Sequence, residues 1–182
     1  MMHESFSLES GESTNTTVDR PESQEGQSSM NDLVSRFQEA DQAAMYDGSW
    51  DPNDPSLVLN QLVEQIRSID ATVLSSDELT DQRYALWLWN HHAVSSAIYR
   101  SHDKESAKRY VQEALTYAGS NNKITQLFAL LLDERDKEAE QYASGFADGD
   151  FEKETALELI RQHRAGEWFP SDIEGTREET SL

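Results

Sequence analysis

The stretch Tyr84–Gly119, YALWLWNHHAVSSAIYRSHDKESAKRYVQEALTYAG, decides the fold. Apolar residues recur at helical spacing on both sides of a short Ser101-His102 turn, so it reads as two helices folded back on each other. The second helix opens on Asp103-Lys104-Glu105. The same triplet returns at Asp136-Lys137-Glu138, 33 residues on, after another apolar helical run. A period of that length marks stacked helical hairpins, each too small to bury its own apolar face. It points to a binding scaffold and away from a dedicated catalytic pocket.

Helices follow on either side. Ser75 with Glu78 three residues later forms a capping box for the longest helix, about 76–100. Its stripe carries Leu79, Leu86 or Trp87, Asn90, Val94, Ala97 and Ile98. Asp103 caps the next helix, with Ala107, Tyr110, Val111, Ala114 and Leu115 inward and Gly119 as a left-handed stop. Upstream, Leu33, Phe37, Ala40 and Ala44 share one face of a helix over 31–46 that stops before Gly48. Asp54 and Pro55 open a second helix that runs to about Asp70, with Leu59, Leu62, Val63 and Ile66 inward. Downstream, Asn121 or Asn122 caps a helix carrying Ile124, Leu127, Phe128, Leu131 and Leu132. Asp136 starts another with Ala139, Tyr142, Ala143 and Phe146. Asp150 starts the last, with Ala156, Leu157 and Ile160 inward and Gly166 at its end. Trp168-Phe169-Pro170 is expected to fold back onto the bundle, and no segment alternates as a strand does. The expected fold is all-α, six to seven helices in antiparallel hairpins over 30–170. The polar, acidic stretches 1–29 and 171–182 are expected to be disordered, with Met30 placed as an alternative translation start.

Composition narrows the function. The formal charge is -20, from 35 acidic and 15 basic residues. That opposes direct binding to nucleic acid, which needs Lys and Arg to displace counterions, and docking on anionic lipid. With no cysteine, disulfides, thiolate catalysis and Cys-based zinc sites are excluded. Neither a leader peptide nor a run long enough to span a bilayer is seen, so the expected location is cytoplasmic.

Over about Leu88–Asn121, His91, Val94, Ser95 and Ile98 take the small and large contact positions of a first helix. Ala107, Val111 and Ala114 place two small residues seven apart around an aliphatic one in the second helix. Phe128, Ala129 and Leu132 repeat part of the pattern in the following unit, where the turn is shorter. This order resembles tetratricopeptide-repeat hairpins, over about 84–147, and the small residues also suit an irregular antiparallel bundle. The resemblance implies a concave groove lined by first helices, holding a peptide or a partner helix. Its candidate positions lie on the exposed face of 84–100: Asn90, His91, Arg100 and one of Trp87 and Trp89.

Trp87 and Trp89 point about 200° apart on a helix, so both are buried only if that helix is enclosed on two sides. His91 and His92 diverge by about 100° and cannot jointly grip one metal. The Asp47–Asp54 loop lacks calcium-loop spacing, and no phosphate loop or nucleophile elbow is present. Neither metal nor cofactor is expected. The expected function is a non-enzymatic adaptor that binds another protein. An acidic inhibitor of a basic partner is the alternative, and a small enzyme with a histidine–carboxylate site is the third reading.

Overall fold

The computed structural model describes residues 29–118 and 122–170. Of the expected disordered stretches 1–29 and 171–182, all but Ser29 lie outside them, as does the stop at Gly119. The described chain is all-helical: α1 (Met30–Asp47), α2 (Val58–Ser68), α3 (Ser76–Tyr99), α4 (Lys104–Ala118), α5 (Lys123–Leu132), α6 (Asp136–Ser144) and α7 (Phe151–Arg164). A single 3₁₀ turn, Ala71–Val73, bridges α2 to α3.

Local chemistry sets the boundaries. Ser29 accepts the Asp32 amide to start α1, and Gly48 ends it with φ 74°, a conformation that costs glycine least. Ser75 and Glu78 form the expected capping box on α3. Asn122 caps α5 through the Thr125 amide, and Asp150 caps α7 through the Glu152 amide. One boundary differs. α2 starts at Val58, not at Pro55, because Asp54 spends its carboxylate on the Ser56 amide and hydroxyl. Asn60 then holds the 51–54 loop by donating to the carbonyls of Asp51 and Asp54 at 2.8 and 2.7 Å.

The helices pair in sequence as α1–α2, α3–α4 and α5–α6, and each hairpin also packs on the helix that follows it. α3 and α4 run antiparallel, with Arg83 early in α3 donating to the Thr116 carbonyl late in α4. The first helices run parallel: Asp41 of α1 meets His92, while Trp87 and His91 of α3 meet Thr125 and Phe128 of α5 in the same order. The core is continuous from Leu33 and Phe37 through Val94 and Ile98 to Leu131 and Ile160. Trp168 folds back as expected, buried against Phe128 and His163. In α7 the inward stripe is Ala156, Leu159 and Ile160. Leu157, expected inward, is 55% exposed, because spacing from Ala156 by three and four selects 159 and 160. No helix among the described residues is long and apolar enough to cross a membrane.

Candidate functional site

α3 is the positioning element, because α1, α2, α4 and α5 all lean on it and sort its side chains by direction. Gln82 donates to the carbonyls of Ile66 and Ile69 at the end of α2, both at 2.9 Å. Trp89 points the same way: its indole N–H donates to Asn60 Oδ1 at 2.8 Å, and its ring meets Tyr110 edge-on. Trp87 points toward α5 and donates to the Thr125 hydroxyl at 3.1 Å.

This sorting corrects the expected binding face. Trp89 is 7% exposed, showing an edge only to a shallow cavity beside Asn60 and Glu64, and Asn90 is fully buried. Asn90 donates to the Leu86 carbonyl at 2.8 Å, and its Oδ1 is sealed without a partner. Arg100 has a solvent-exposed surface, yet its guanidinium clips the loop after α1 by donating to the carbonyls of Gly48 (2.9 Å) and Trp50. His91 stacks on Trp87 at 5.4 Å and buries its Nδ1. Burial first, and the neighbouring His92 second, lower the His91 pKa to about 4. Of the five positions, Trp87 is the one that lines the groove between α3 and α4.

That groove lies where the start of α3 meets the end of α4. It encloses about 610 Å³ between Leu79, Arg83, Tyr84, Trp87 and Tyr117, with Ser76, Thr80 and Asn122 at its polar edge. Tyr84 is 44% exposed and sits 5.7 Å from Trp87, whose ring is already fixed by Thr125 and His91. Arg83 is held by the C-terminal carbonyl of Thr116, where a cation suits the helix dipole.

A second cavity, of about 320 Å³, opens at the other end of α3, between it and the end of α1. Trp50, His92, Ser95, Ser96, Tyr99 and Arg100 line it with Ala44, Met45 and Gly48. Behind it Asp41, 3% exposed, accepts the Trp50 indole N–H at 2.8 Å and lies 2.9 Å from His92 Nδ1. The tandem histidines therefore part company as their spacing requires. His163 lies apart from both and bonds Asp136 at 2.8 Å. Among the described residues, no three metal-ligating side chains converge.

Compared with family models, curated proteins and solved structures, the chain matches none.

Sequence reasoning missed Tyr84, Tyr117, Asp41 and Trp50. Asp41 carried a signal: it lies four residues after Phe37 and three before Ala44, an acid on an inward stripe. A carboxylate there is stable only with hydrogen-bond donors supplied by other elements.

Proposed function

We propose that the domain is a protein-binding scaffold whose α3–α4 groove holds an apolar anchor of a basic partner segment. The observation that carries this is the open aromatic groove of Tyr84, Trp87 and Tyr117, with Trp87 held in place before any partner arrives. Aromatic side chains fixed in advance around a concavity are where binding energy concentrates. Charge favours a basic segment. The chain carries -20, and many of its cations are already engaged, as in Arg36–Asp32, Lys104–Glu134, Lys123–Glu152 and Arg164–Glu140. The parallel course of α1, α3 and α5, with the small residues Ala107 and Ala114, supports the tetratricopeptide-like reading of the same surface. Such a groove acts by binding and needs no chemistry of its own.

The test is recovery of the tagged chain with its partner from the native host at low and high salt, followed by affinity measurement. Tyr84→Ala and Tyr117→Ala are each expected to cost roughly 2 kcal/mol, about thirtyfold in Kd. Tyr46→Ala, at a site 96% exposed near the end of α1, is expected to leave affinity unchanged. A partner that washes off in salt and ignores both groove substitutions would sink the groove and favour the surface carboxylates instead.

A further inference from the structure

We propose that the cavity at the C-terminal end of α3 is a general-base site that hydrolyses small esters, with His92 as the base. This goes beyond the binding role of the groove at the other end of the helix and does not depend on it.

The proposal stands on a buried carboxylate–imidazole pair facing an open cavity. Asp41 receives the Trp50 indole N–H and the His92 Nδ1–H on the same oxygen, at 2.8 and 2.9 Å. An indole N–H can only donate, so Asp41 acts as acceptor, and ionised it selects the His92 tautomer whose Nε2 carries the lone pair. His92 lines the cavity, and the side-chain hydrogen bond it makes among the described residues is the one through Nδ1, which leaves Nε2 for a ligand in the proposed site. Its side chain is 19% exposed. The charged and titratable groups around it are Asp41 from α1, with His91 at 5.9 Å on the same helix and Tyr99 and Arg100 at that helix's end lining the same cavity.

The cavity supplies the rest of an acyl-transfer site. His92, Ser96 and Arg100 stand four residues apart on α3, so base, hydroxyl and guanidinium share one row along the cavity. Trp50, Met45 and Ala44 give an apolar wall for a short acyl chain. Arg100 has five N–H donors, of which the Gly48 and Trp50 carbonyls take two. In the proposed site the remaining donors and the Ser96 hydroxyl serve a developing oxyanion.

In the reaction, a water held at His92 Nε2 gives up one proton to that nitrogen as its oxygen attacks the acyl carbon. The carbonyl π bond opens to an oxyanion facing Ser96 and Arg100. Collapse re-forms the carbonyl, breaks the bond to the ester oxygen, and returns the proton from Nε2 to the departing alkoxide. Ester and water become carboxylic acid and alcohol, with His92 restored. Asp41 stays ionised and stabilises the transient imidazolium; it is a positioning residue.

The chain carries its own control. Asp136 and His163 form a second pair at 2.8 Å, but the His163 ring packs against Trp168 at 5.1 Å. The experiment is hydrolysis of 4-nitrophenyl butyrate by the full chain across the histidine titration range, with variants checked for helicity. The expected wild-type rate saturates with substrate and rises with pH to a plateau. His92→Gln, which keeps a donor for Asp41, is expected to lower that plateau roughly a hundredfold. Ser96→Ala is expected to lower kcat severalfold with KM unchanged, and His163→Gln to match wild type. A wild-type rate no greater than that of equimolar free imidazole, or equal rates for the His92 and His163 variants, overturns the proposal.

Discussion

The two ends of the hairpin stack are held by different physics. In α1–α3 the helices are tied by buried polar bonds: Asp41, Asn60, Gln82 and Asn90 are four of the five buried polar residues among those described. Each of the first three reaches another element, through Trp50 and His92, through Trp89, and through the carbonyls of α2. In α5–α7 the interior is Leu127, Leu131, Ala139, Ala143, Ala156 and Ile160 with Thr125 as its buried polar residue, and the ties among these helices are the part-buried Asp136–His163 bond and surface ion pairs such as Lys123–Glu152 and Arg164–Glu140. Apolar packing tolerates sliding and repacking, whereas a buried donor must meet its acceptor. The first half is therefore the half with a fixed register. Two tryptophans of the polar half, Trp50 and Trp89, spend their N–H groups on it, while Trp87 donates across to Thr125 of α5.

The largest effect that would break this contrast is at Trp50. Trp50→Ala removes a ring that is 3% exposed and strips Asp41 of one donor. It is expected to cost about 3–5 kcal/mol, much of a domain's total stability, read as a lower urea midpoint. Trp50→Phe isolates the hydrogen bond and is expected to cost about 1–3 kcal/mol. If Trp50→Phe unfolds at the wild-type midpoint, the polar ties add nothing to packing.

Acid should reach the polar half first. The folded His91 pKa of about 4 lies below its ordinary 6.5, because its burial and the His92 charge disfavour the imidazolium. The unfolded chain therefore binds more protons on that residue between these values. Stability is full above 6.5 and falls as pH drops toward 4, by on the order of 3 kcal/mol. Glu158, lowered to about 2 by hydrogen bonds from Arg161 and Gln162, loses its contribution at lower pH, between 4.5 and 2. Unfolding midpoints from pH 7 to 4 in wild type and His91→Phe check the point. The substitution should flatten the upper part of that curve, and an unaltered slope would remove His91 as its cause.

Asn90 is the polar residue that ties nothing across. Its amide nitrogen bonds Leu86 on its own helix, and its Oδ1 is sealed and unpaired. Asn90→Leu, of similar volume, is expected to be neutral or to stabilise by about 1 kcal/mol, in contrast to Trp50. A large loss would mean that this oxygen has a partner, such as an enclosed water.

These particular residues also show what a linear chain reveals. Helix ends were legible because their causes are local: Ser75 with Glu78, Gly48, Asn122 and Asp150 act within four residues. The α2 start was not legible because Asp54 turns its carboxylate onto Ser56 and Asn60, two residues inside the helix, reaches back to hold the loop in that turn. The site was less legible, since its bonds join distant positions: Asp41 to His92 spans 51 residues and Asn60 to Trp89 spans 29. Spacing showed that Trp87 and Trp89 diverge, but the direction of burial followed from where α2 and α5 lie. Arg100 looked free because its acceptors are backbone carbonyls, which leave no mark in the residue types.

The smallest expected effect lies at the surface of the apolar half, at Lys104–Glu134, where the partners are 2.5 Å apart and Glu134 is 70% exposed. The lysine hydrogen bond and charge lower the Glu134 pKa, yet an exposed pair gains little once solvent screens it and two long side chains are ordered. A double-mutant cycle of Lys104→Met and Glu134→Gln should give a coupling near the limit of measurement at low salt and none at about 0.5 M. The same salt should raise the stability of the whole chain, because it screens the self-repulsion of a charge of -20. The two responses have opposite sign, so they separate pairwise attraction from net charge. A coupling that survives salt would place the Lys104–Glu134 tie with the buried bonds of α1–α3, and the contrast between the halves would then rest on packing alone.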